Sequence, residues 1–162
     1  MNKPLTLKQI FKIPDEVNRV IALHGFVSRR PFSELTETEK IIRAVEDLEM
    51  EVNNGGFHQY FYNSAGDHWQ DCLVGLEKVG ASKTGLLFKS ALSIFNEASP
   101  PEDRLQRQEV AGKLKKEKFE FLDQLDQKFY KYEDNLTALL FKYVEKHRED
   151  FYNPSWFSRT FK

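Results

Sequence analysis

Few side chains in this sequence could act on a substrate or hold a metal. Cys72 is the single thiol, and His58, His68, Glu49, Asp67 and Asp71 form a candidate set of metal ligands. A nucleophilic cysteine needs neighbours that favour its thiolate. Cys72 instead falls inside a helical pattern, on an apolar face with Trp69, Leu73 and Leu76, where cysteines act as small inert hydrophobes. His68 and Asp71 share a helix face, but no paired-histidine spacing accompanies them. The chain has no G-x-x-x-x-G-K-[ST] loop, no H-E-x-x-H and no G-x-S-x-G. Carboxylates are plentiful, yet no two are marked as an acid/base pair. The reading is a non-enzymatic protein with no catalytic residues, no metal and no cofactor.

Negative charge is the more abundant resource. The net charge of −1 conceals an asymmetry: +4 over residues 1–32, −6 over residues 33–101 and +1 over residues 102–162. Direct nucleic-acid binding is not expected, because it usually comes with a basic surplus. The acidic stretch instead suits a basic protein partner. Its candidate partner-binding residues are Glu34, Glu37, Glu39, Glu46, Asp47, Glu49 and Glu51, interrupted by Lys40 and Arg43. Ile41, Val45, Leu48 and Val52 form a helical apolar stripe. At ~100° per residue, Glu39 and Glu46 fall opposite it, on the expected solvent side, two turns and ~10 Å apart. For an ordinary helix such a row is a solvated face; offered to a partner, it imitates phosphates.

Helices must position these groups. Thr36-x-x-Glu39 is a capping box ahead of the stripe. Upstream, Thr6 opens a short helix over Leu7–Ile13, and Asp15 opens another that Gly25 ends. Arg29-Arg30-Pro31 reads as a solvated connector. Downstream, Asp67 is the expected N-cap of a helix over His68–Val79 stopped by Gly80, and Ser82 caps the next. Ser99-Pro100-Pro101 breaks the chain before a polar helix over Glu102–Leu114. Phe119, Leu122, Leu125, Phe129 and Tyr132 make a further stripe, and Leu136, Leu139, Leu140, Tyr143 and Val144 another, with a kink or turn near Glu133-Asp134. No strand-length alternation occurs. The prediction is an all-α single compact domain of about six to eight helices over 1–162, with 153–162 as a short tail. Its core would include Ile41, Val45, Leu48, Val52, Phe61, Leu73, Leu76, Ile94, Phe95, Leu125, Phe129, Leu140 and Val144.

Between the two central helices lies Asn53-Asn54-Gly55-Gly56-Phe57-His58-Gln59-Tyr60-Phe61-Tyr62-Asn63-Ser64-Ala65-Gly66. Gly55 and Gly56 suit a helix end and a sharp turn. Phe57, Tyr60 and Phe61 share one helix face, ringed by amides. A packed corner explains them best; the alternative is an enzyme or small-ligand site centred on Asn54-Gly55-Gly56-Phe57. The run Asn54-Gly55-Gly56-Phe57, Gln59, Phe61, Asn63, Gly66, Leu76 and Gly80-Ala81 resembles the signature of a bacterial all-helical family of unknown function that includes a DNA-mimic protein. That resemblance implies regulation of transcription by occupying the DNA-binding surface of a transcription factor.

The totals are compatible with this reading. A chain of 162 residues can bury ~70% of its unfolded surface without metal or disulfide. The lone cysteine and the absence of an apolar run of ~20 residues or a signal-peptide core predict a cytoplasmic protein without a membrane span. A homodimer is expected, with Trp156, Phe157 and Phe161 of the tail as one candidate surface.

Overall fold

The computed structural model describes residues 4–152. Within them the chain forms eight α-helices and no strand: α1 (Leu7–Ile10), α2 (Glu16–Val27), α3 (Glu37–Tyr62), α4 (Trp69–Val79), α5 (Ser82–Leu92), α6 (Arg104–Gly112), α7 (Lys116–Phe129) and α8 (Leu136–Lys146). The tail aromatics Trp156, Phe157 and Phe161 lie outside the described residues.

The fold is built round α3. The Thr36 hydroxyl accepts from the Glu39 amide, and the Glu39 carboxylate accepts from the Thr36 amide, so the predicted capping box is present. Ile41, Val45, Leu48 and Val52 are buried along its inner stripe. α2, α4, α6, α7 and α8 all pack against this one helix. Every residue of the predicted core is buried except Leu73, which packs partly buried against it.

Several ends differ from expectation, each for a local reason. α2 continues through the exposed Gly25 to Val27, since one glycine costs a helix only ~1 kcal/mol against alanine. α4 starts at Trp69 after a 3₁₀ turn, Ser64–His68; Asp67 gives it no cap because its carboxylate is taken by Arg104 and Arg107. Gly80 ends α4 at φ +82, as the C-cap rule requires. Ser82 does not cap α5. The Thr84 amide in its first turn donates to Asp134, 50 residues away in sequence. Glu133-Asp134 lies in a turn between α7 and α8, and Tyr132 just before it takes φ +49. Phe119 and Tyr132, placed on the buried stripe of α7, are exposed at 51% and 43%.

Candidate functional site

The glycine-aromatic segment proves to be a break inside α3. The helix runs to Asn54, leaves helical geometry at Gly55 and Gly56, and resumes at Phe57. Gly56 sits at φ +76, in the left-handed region, and a Cβ there would overlap the Asp126 carboxylate. That carboxylate caps the restarted helix, accepting from the Phe57 amide at 2.8 Å. Across the break, Gln59 and Asn63 both donate to Glu51 Oε2, at 2.7 and 2.9 Å. Phe57, Tyr60 and Phe61 are fully buried and surround Phe88. Gly66 is packed against Tyr60 O and the Arg107 guanidinium, with no room for a side chain. Arg107 is itself fully buried. It donates to Phe61 O and Pro101 O and pairs with Asp67, tying α6 to the end of α3. Each polar group of the motif that the structure engages thus serves the corner.

The candidate reactive groups are scattered. Burial pushes the Cys72 thiol well up, away from a thiolate at neutral pH. Tyr60 beside it is pushed up for the same reason, and its hydroxyl has no hydrogen-bond partner among the described residues. His68 stacks on Phe32 at 3.5 Å, His58 contacts Ala111 O, and Asp67 binds two arginines. Among the described residues no three metal-ligating side chains converge.

The predicted carboxylate row requires correction. Glu39 and Glu46 do not face solvent: they are 4% and 8% exposed. A helix ringed by neighbours has no fully solvated side, which a single apolar stripe cannot reveal. Glu39 is neutralised by Arg30, so Arg30 is not the free connector residue expected. Asp47 contacts both His24, at 2.7 Å, and Arg43, at 3.1 Å. Glu51 is spent on the α3 break. Glu34 and Glu37 are exposed, Glu37 with Lys40 at 3.3 Å; Glu49 is half-buried.

A different set of carboxylates gathers along one seam between helices. Asp126 opposite Phe57, Tyr130 Oη on Val52 O and Tyr132 Oη on Asn53 show that α7 runs antiparallel to the second half of α3. Asp123 and Asp126 lie at one end of this seam, and Glu49 and Glu46 near Tyr132 at the other. Among the described residues none of the four forms an ion pair with Lys or Arg. Burial, and then the charge of Glu49, pushes Glu46 up to about 7. Burial raises Glu49, and burial with the nearby Asp123 charge raises Asp126 against the Phe57 hydrogen bond. Burial is the main cause at all three, and a neighbouring carboxylate adds to it at Glu46 and Asp126. Asp123 and Asp126 were visible in the sequence as an i, i+3 acidic pair, but nothing local said which helix they would adjoin.

The sequence profile of DMP19-like proteins matches residues 33–147, from before the capping box to the end of α8. The chain belongs to the DMP19-like family. The matched span contains the α3 break and both ends of the carboxylate seam. No curated protein and no solved structure matches the chain. No helix among the described residues of this DMP19-like protein is long and apolar enough to cross a membrane.

Proposed function

We propose that this DMP19-like protein is a non-enzymatic regulator whose acidic surface takes the place of double-stranded DNA in the binding site of a transcription factor. The observation that carries the reading is the α3–α7 seam, where Glu49, Asp123 and Asp126 keep access to solvent beside the buried Glu46, and none has a Lys or Arg counter-ion among the described residues. From Glu46 to Phe57, opposite Asp126, α3 rises ~16 Å. One DNA strand carries about five phosphates over that length, at ~3.4 Å each. The three accessible carboxylates, Glu49, Asp123 and Asp126, supply part of that row, on one strand only. Imitating the second strand calls for a second copy, so the reading includes a homodimer and a cytoplasmic setting shared with the partner. Glu34 and Glu37 would extend the surface beyond the seam. The ligand-site alternative is weaker, because Gly56, the Phe57 amide and Gln59 are engaged in holding the helix break and the Phe57 ring is fully buried.

The test reverses charge at Glu49 and Asp123, which the fold leaves accessible, in place of the buried Glu39 and Glu46. Glu49→Lys with Asp123→Lys should keep the helical spectrum and lose the DNA-binding partner captured from cell extract by the unaltered protein. In a gel shift, the recovered partner should release its DNA as this protein is added. Equal capture by both forms, or a ternary complex with DNA, would overturn the proposal.

A further inference from the structure

On another part of the surface, the Asn96–Ala98 turn, α6 and the first turn of α7 enclose an open groove of about 550 Å³. Its floor is apolar: Ile94, Phe95, Pro101, Val110 and Leu114. Val110 is 39% exposed there, a β-branched side chain left facing water. The rim is cationic. Lys113, Lys115 and Lys118 line it against one carboxylate, Glu109, which pairs with Lys113 at 2.5 Å. Lys118 is held by Ile94 O, so it closes the groove and is not free to turn outward. The Lys115 side chain makes no hydrogen bond or ion pair among the described residues, and it occupies the N-cap position of α7 without capping it. The positive end of that helix therefore adds to the potential of the lysine rim. Two successive non-glycine residues in the left-handed region, Glu97 at φ +55 and Ala98 at φ +53, lie between the lining residues Asn96 and Ser99.

We propose that this groove binds a small amphiphilic carboxylate, with its apolar body on the Ile94–Val110 floor and its head group at Lys115. The volume lies within the ~300–1,000 Å³ of small-ligand sites, and an apolar floor with few convergent polar groups is their usual construction. Charge decides the class of ligand: a neutral hydrocarbon leaves Lys115 unused, and a cation meets three lysines. The site is independent of the α3–α7 seam in residues and in sign of charge.

Calorimetric titration with dodecanoate below its micellar concentration tests this, with dodecyltrimethylammonium as the chain-matched cation. Saturable one-to-one binding of dodecanoate alone is expected. Lys115→Glu should weaken it at least tenfold and Val110→Glu should abolish it. Both positions are solvent-accessible, so an unchanged thermal melt is expected to accompany the loss. Absence of saturable dodecanoate binding, equal binding of the two amphiphiles, or unaltered binding by both variants would overturn the assignment.

Discussion

A carboxyl group that must choose between water and a crowded interior reports its position through pH. Glu46 is 8% exposed and its proton is held up to about 7, against 4.5 in an unfolded chain. Folding therefore favours the protonated form, and the folded chain holds more protons between those values. The stability this group contributes is complete below pH 4.5 and is lost as pH rises through about 7. At ~1.4 kcal/mol per pH unit, the loss is at most about 3–4 kcal/mol. Glu46→Gln cannot ionise. It should match the unaltered protein in urea denaturation at pH 4.5 and exceed it at pH 8; equal midpoints at pH 8 would show that Glu46 is solvated. The identity of this residue was plain in the sequence and its environment was not. The helical wheel correctly set Ile41, Val45, Leu48 and Val52 inward, but it assigned everything opposite them to water.

Among the elements, α3 carries the clearest lesson about legibility. Its start is written locally in Thr36 and Glu39, and the end of α4 in Gly80, so both were read from a few adjacent residues. The Gly55-Gly56 pair announced a break. What stabilises the restart was not visible, because the cap comes from Asp126, 69 residues further on. The same holds for Thr84 and Asp134. Helix ends fixed by tertiary caps leave no signal in the surrounding sequence. Gly56→Ala tests the geometry of the break. The left-handed backbone alone costs about 1–3 kcal/mol for a side chain, and the overlap with Asp126 adds to it. Placed in an Asp126→Ala background, the same substitution should cost measurably less than in the native protein, because the overlap is gone. Additive losses in the double-mutant cycle would mean that the Asp126 carboxylate does not press on Gly56.

Taken whole, the protein carries two surfaces of opposite sign: at the α3–α7 seam, carboxylates without a Lys or Arg counter-ion among the described residues, and round the groove between α6 and the start of α7, a rim of lysines. Net charge, at −1, hides this division. If a basic partner is held by the acidic seam, its affinity must fall steeply with added salt, since exposed charges are screened over ~10 Å at 0.1 M. A partner whose affinity is the same at 50 and 300 mM salt would be bound by other means. Assembly belongs to this scale too. Light scattering should give twice the 19.0 kDa chain mass, and a truncation after Tyr152 separates a role of the tail aromatics in pairing from a role in the monomer. A chain that scatters as a monomer in both forms would leave the second DNA strand without an imitator.

The long-range caps also bear on the order in which the chain can mature during synthesis. Asp126 and Asp134 leave the ribosome 69 and 50 residues after the amides they serve. Until then the restarted half of α3 and the first turn of α5 have unsatisfied amide groups, and Phe57, Tyr60 and Phe61 have no completed roof. A nascent chain stalled before α7 should accordingly be cut by protease near Gly55-Gly56, and one stalled after α8 should resist at the same bond.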